Sequence, residues 1–256
     1  MPRKLAKQST STSLSSNSTS NSTSTSAAAA PSLSLPPILS DGLPLPRAVV
    51  FDLDYTLWPF WVDTHVHAPL RPNAAHTACT DKVGESFAFY RDVPAVLRAV
   101  SLAGLRLGVA SRTYAPDLGR DMLKLLHVPP LGSLSFPTTT TNTTTENGEV
   151  PMSSSSSGSG SGSGKGSASA RDSKSRKAID FFDAGLEIYP SSKTRHFEAL
   201  HKRTGIPYAD MLFFDDESRN RDTESLGVTM WLVRDGVTWG EVESGIREWR
   251  RRRGVE

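Results

Sequence analysis

Val49-Val50-Phe51-Asp52-Leu53-Asp54-Tyr55-Thr56 is the stretch whose reading decides the fold. An apolar, largely β-branched run ends abruptly in two carboxylates spaced i, i+2, with a hydroxyl residue two positions further on. Alternate residues of a strand share a face, and two like charges buried on one face repel each other. The cost falls if the strand ends there and a cation sits between the carboxylates. The stretch therefore predicts a buried strand, Ala48–Phe51, that ends in a metal-dependent site.

Working outward, strands and helices alternate. After the entry through Pro44 and Pro46, Leu57-Trp58-Pro59-Phe60-Trp61 reads as a compact aromatic loop beside the carboxylates. Helical spacing of Val93, Val96, Leu97 and Val100 predicts a helix over 93–103, stopped by Gly104. A second strand, 105–110, leads to Ser111-Arg112-Thr113, and a second helix runs over 117–126. A third strand is expected within 181–189. A helix capped by Ser191 or Ser192 then runs to about Thr204, ended by Gly205 and Pro207. Met211–Phe214 is a fourth strand ending in Asp215-Asp216, followed by a short helix to Leu226 and a strand over 228–233. The last helix, from about Thr238, places Trp239, Val242, Ile246 and Trp249 on one face. This alternation indicates an α/β fold with a parallel sheet, whose ligands bind at the carboxyl ends of the strands. Asp52, Asp54, Ser111, Asp215 and Asp216 all fall at such ends.

Composition sets the boundaries. Of 256 residues, those from about Ser9 to Ser34 are nearly all Ser, Thr, Asn and Ala, and cannot bury enough surface to offset their ordering entropy. A Thr run, a Ser run and a Ser-Gly repeat between about Thr138 and Ser175 read as a flexible coil. The expected organisation is a disordered tail over 1–46 and one domain over 47–253, interrupted by a low-complexity insertion at about 133–178. The net charge of +2 does not call for nucleic acid. One cysteine, Cys79, excludes an internal disulfide and fits a reducing compartment, cytoplasmic or nuclear. No apolar run reaches membrane-spanning length, so the sequons at Asn17, Asn21 and Asn142 are expected to go unused. Arg3, Lys4 and Lys7 are read as the basic tip of the tail, with a transit peptide as the alternative. Nothing calls for a partner chain, and a monomer is expected.

The chemistry follows from the residue types. Asp52 can act as a nucleophile on a phosphate monoester, and Asp54 can give a proton to the leaving oxygen and later take one from water. Ser111 can donate to the phosphoryl oxygens, Lys193 supplies fixed positive charge, and Mg²⁺ suits the oxygen ligands of the acidic residues.

Asp-x-Asp-x-Thr, a strand-terminal Ser, a Lys and a late Asp-Asp resemble the four motifs of the haloacid dehalogenase (HAD) superfamily. The stretch 51–66 is similar, nearly residue for residue, to the magnesium-dependent phosphatase 1 family within it. So are 110–113, 187–193 and 213–217. The resemblance implies a HAD-like Rossmannoid three-layer sandwich, a central parallel sheet flanked by helices, and the Ser-Gly composition of the insertion implies no folded cap domain. The resemblance also implies an aspartyl-phosphate on Asp52 with Asp54 as acid and base. Mg²⁺ would be held by Asp52, by Asp54 through its backbone carbonyl, and by one of the two late acids, Asp216 in preference to Asp215. Asp215 and Thr56 would stand behind them, with Leu53, Trp61, Ser111, Arg112 and Lys193 lining the substrate. The expected substrates are phosphorylated small molecules or phosphoproteins, phosphotyrosine and sugar or fructosamine phosphates among them.

Other readings are duller or rival ones. His65, His67, His76 and Cys79 have no strong zinc spacing, and Glu85 stands where a cysteine phosphatase needs Arg. Arg250–Arg253 reads as favourable charge at a helix C-terminus. A non-catalytic HAD-fold scaffold or phosphoprotein-binding protein is the alternative function. A receiver-type phospho-acceptor places its metal-binding acids earlier in the chain than Asp52 would allow.

Overall fold

The computed structural model describes residues 35–134 and 174–255, all within one compact unit, Leu33–Glu256. The Ser/Thr stretch up to Ser34, most of the Ser-Gly insertion and the three sequons lie outside the described residues. Five strands form a parallel sheet: β1 (Ala48–Phe51), β2 (Arg106–Ser111), β3 (Gly185–Ile188), β4 (Met211–Asp215) and β5 (Thr229–Leu232). Their order is β5-β4-β1-β2-β3. The register pairs Phe51 with Val109 on one side and with Phe214 on the other.

Sequence explains the layering. β1 is buried at all four positions because helices cover both faces of the sheet. Its odd-numbered residues, Val49 and Phe51, join one core with Leu212 and Phe214 of β4. Helices α1 (Val93–Leu102), α2 (Pro116–Leu125) and α4 (Trp239–Arg251) cover that core. Ala48, Val50, Met211 and Phe213 face the other core, with Phe197 and Leu200 of α3 (Lys193–Thr204). A strand's period of two thus divides one apolar run between two layers. At Gly245 a Cβ would lie 2.7 Å from the Phe214 ring, so α4 meets the sheet through its backbone.

Three features differ from the sequence reading. Residues 35–46, assigned by composition to the tail, include a helical turn, Pro37–Ser40, with Ile38 and Leu39 in the core. Arg250 explains the difference. It is buried, and it donates to the Ile38, Leu43 and Pro44 carbonyls and to both oxygens of Asp41. It is therefore an anchor for the incoming chain and not simply a charge at a helix end. Second, the region after the aromatic loop holds a small antiparallel sheet of Arg71–Pro72, Cys79–Thr80 and Ser86–Phe87, strands too short to show a periodicity. Third, the short helix before β5 is a 3-10 stretch, Ser218–Leu226.

The described flanks of the insertion meet. His127–Val128 pairs antiparallel with Arg176–Lys177. One Nη2 of buried Arg98 donates to both the Pro129 and the Lys174 carbonyl, at 2.8 and 3.1 Å. This junction follows the C-terminal end of α2, a helix that leads away from the carboxyl ends of the strands. Among the described residues no helix is long and apolar enough to cross a membrane.

Candidate active site

The chain order puts β2 and β3 on one side of β1 and β4 and β5 on the other, so the crevice at the carboxyl end of β1 is the expected ligand site. Asp52 follows β1 and its amide donates to the Phe214 carbonyl at 2.9 Å, which locks it beside the end of β4. Ser111 and Asp215 are the last residues of β2 and β4, and Lys193 is the first of α3, capped by Ser192. A pocket of about 620 Å³ is lined by Asp52, Asp54, Trp61, Ser111, Arg112, Lys193 and Asp216, among others. Among the described residues, the small antiparallel sheet does not line it.

Lys193 organises the centre. Its ammonium is 1 % exposed and lies 2.7 Å from Asp52 Oδ1, 2.9 Å from Asp215 Oδ2 and 2.5 Å from the Ala110 carbonyl. Burial works against the charge, but Asp52 and Asp215 together outweigh it and raise the Lys193 pKa. Burial pushes the Asp52 carboxyl upward, against the pull of Lys193. Asp52, Asp215 and Asp216 each offer an oxygen within 4.8 Å of the others. One ammonium does not balance three carboxylates, and this set of hard oxygen donors suits a divalent cation.

The two late acids differ in what is left free. Each oxygen of Asp215 already accepts two donors, from Asn220, Lys193 and the Glu217 amide. Asp216 receives no side-chain donor among the described residues, and burial, then Asp215, raises its pKa to about 6.

Asp54 stands apart from the triad. The Trp58 indole donates to its Oδ1 at 2.7 Å and the Val62 amide to the same oxygen at 3.2 Å. Both donors fall on Oδ1, leaving Oδ2 to carry a proton, and burial raises the pKa to about 7. The turn between Asp52 and Trp58 is tight. Tyr55 has a φ of 53°, and the Leu53 carbonyl accepts from the amides of Thr56 and Leu57.

The remaining expected residues sort by exposure. Trp58 and Phe60 are core, stacked at 5.4 Å, whereas Trp61 is 50 % exposed at the pocket rim. The Leu53 side chain is fully buried, so it can serve the pocket only through its backbone. Thr56 is buried and its hydroxyl has no partner among the described residues. Arg112 donates to Asn220 Oδ1 at 3.2 Å. Cys79 is buried, and burial raises its thiol pKa to about 11, which removes it as a nucleophile. His76 stacks on His127 at 4.0 Å and not on a metal site.

Sequence reasoning missed two residues. Asp63 Oδ2 accepts from the Tyr114 amide at 3.1 Å and the Thr113 hydroxyl at 3.3 Å, tying the loop after β1 to the loop after β2. Asn220 links Asp215 to Arg112. Neither falls in a chemical pattern, and only the folded chain shows their partners.

Comparison with known proteins gives the family. A family model described as acid phosphatase matches residues 44–252. A HAD-like hydrolase superfamily protein of Schizosaccharomyces pombe is 37% identical over 189 residues, spanning 73% of this chain and 86% of that protein. Magnesium-dependent phosphatase 1 of Homo sapiens is 32% identical over 203 residues, spanning 79% and 86%. The phosphatase-domain-containing N-terminal part of a Bacteroides fragilis protein, solved with Mg, is 13% identical with a TM-score of 0.40, spanning 83% of this chain and 41% of that one. That last likeness is too distant to bear on the fold. The chain belongs to the acid phosphatase, or magnesium-dependent phosphatase 1, family of the HAD-like superfamily.

Proposed function

We propose that this chain is a Mg²⁺-dependent phosphomonoesterase that works through an aspartyl-phosphate on Asp52. One observation carries the reading: Asp52, Asp54, Ser111, Lys193 and Asp216 converge on a single pocket at the carboxyl end of the sheet. Mg²⁺ would be held by Asp52, Asp216 and the Asp54 carbonyl, with Asp215 fixing Lys193, and when bound it supplies charge neutralisation at the phosphoryl oxygens.

The chain's own residues do the rest. A carboxylate oxygen of Asp52 attacks phosphorus while the ester P–O bond breaks. Asp54 gives its proton to the departing alkoxide, a role suited to a pKa of about 7. Asp54, now a carboxylate, takes a proton from water as the water oxygen attacks phosphorus. The bond to Asp52 breaks, and inorganic phosphate leaves. Ser111 donates to the phosphoryl oxygens, Lys193 holds its fixed charge beside Asp52, and Arg112 adds a second cation at the pocket.

The open pocket admits a phosphotyrosine side chain as well as a sugar or fructosamine phosphate. Trp61 and Tyr114, 50 % and 82 % exposed at its rim, offer flat apolar surface to an aryl leaving group.

The test is hydrolysis of para-nitrophenyl phosphate with and without Mg²⁺, beside Asp52→Asn. Turnover should require both the metal and Asp52, with the variant at least about a thousandfold slower. Wild-type turnover in Asp52→Asn would overturn the nucleophile assignment.

A further inference from the structure

We infer that Asn220 is a positioning residue that joins the cation-binding carboxylates to the arginine that meets the phosphate; the inference rests on the phosphatase reading above. Asn220 is 1 % exposed. Its Nδ2 donates to Asp215 Oδ1 and Oδ2, each at 2.9 Å, and to Glu217 Oε2 at 3.3 Å. Its Oδ1 accepts from Arg112 Nη1 at 3.2 Å. The amide orientation is forced, because turned over it would set its oxygen against two carboxylates and its NH₂ against a guanidinium. Its backbone is fixed as well: the amide donates to the Glu217 carbonyl at 3.0 Å, and the carbonyl accepts from the Thr223 hydroxyl at 2.9 Å.

A neutral group with one donor face and one acceptor face is what this position needs. An aspartate would add a negative charge against Asp215 and Glu217. An aliphatic residue would deprive buried Asp215 of a donor. A direct pair between Arg112 and Asp215 would neutralise the guanidinium. Held through the amide, Arg112 has no carboxylate partner among the described residues and keeps its charge for an anion in the pocket it lines. Loss of Asn220 therefore frees Arg112 to change rotamer and leaves Asp215 less firmly oriented against Lys193. Phosphate and cation affinity should fall together.

The experiment is calorimetric titration of the intact chain with Mg²⁺ alone, then with inorganic phosphate in excess Mg²⁺. Wild type, Asn220→Ala, Arg112→Ala and the double variant are compared, with circular dichroism to verify folding. Asn220→Ala should weaken phosphate binding about tenfold and Mg²⁺ binding by a smaller factor. In the Arg112→Ala background the same substitution should weaken phosphate binding by a smaller factor, through Asp215 and Lys193 alone. Should the alanine variant fail to fold, Asn220→Ser, which keeps a donor and an acceptor, takes its place in the cycle. Unchanged affinity, or equal losses in both backgrounds, overturns the inference while the phosphatase reading stands. A folded wild type that binds neither Mg²⁺ nor phosphate overturns both.

Discussion

Asp52 accepts from the Lys193 ammonium, whereas Asp54 accepts from the neutral Trp58 indole and the Val62 amide. In the proposed mechanism the cation readies the first carboxylate to attack. Burial among neutral donors lets the second keep a proton near neutrality, at about 7. Two residues of one type, two positions apart, so acquire different chemistry from their neighbours. The same logic gives His196 a measurable role in stability. It is fully buried on α3, its Nε2 lies 3.0 Å from the Tyr189 carbonyl, and Nδ1 has no partner among the described residues. Burial first, and then Lys193, lowers its pKa from 6.5 to about 4. The unfolded chain therefore binds this proton first as pH falls. Stability from His196 is complete above about pH 6.5 and declines toward pH 4, by up to about 3 kcal/mol. Denaturant unfolding of His196→Phe and wild type, measured from about pH 7 to 4.5, should show a shallower decline in the variant. Parallel curves would refute this.

At the scale of elements, the junction of the low-complexity insertion decides what its removal should do. The ladder of His127–Val128 with Arg176–Lys177 and the Arg98 clamp bring the two flanks within a few ångströms of each other. The clamp is reinforced where Arg98 also stacks over the Phe181 ring. None of these residues lines the pocket. Replacing residues 135–173 with a short Gly-Ser bridge should therefore leave kcat/KM within about twofold, since loop length enters closure entropy only logarithmically. A tenfold loss in a folded deletion variant would show that the insertion reaches the substrate. The helix carrying Lys193 was legible from its Ser cap and terminal Gly205, which has a φ of 67°. The small antiparallel sheet was not, because two-residue strands carry no period to read.

For the molecule as a whole, Arg250 connects the last helix to the first described residues, more than two hundred positions away in sequence. It holds Asp41 below the usual carboxylate range and donates to the Ile38, Leu43 and Pro44 carbonyls, the first of them in a buried bond. Arg250→Met should cost about 2–3 kcal/mol of unfolding free energy and expose the segment before Pro44 to proteolysis, with kcat nearly unchanged. Unaltered stability and protease resistance would mean that the core contacts of Ile38 and Leu39 suffice on their own.

The sequence alone determined the parallel α/β architecture and the acids, Ser111 and Lys193 of the site. Those residues end buried strands or begin a helix, and both are local patterns of burial and capping. Tertiary structure alone decided which late acid keeps free lone pairs, that Asn220 and Asp63 bond to residues at the candidate site, and that Arg250 is buried. Each depends on a partner brought near by folding. Hydrogen bonds and ion pairs act over a few ångströms of space, and spacing along the chain does not encode which distant groups will come within that reach.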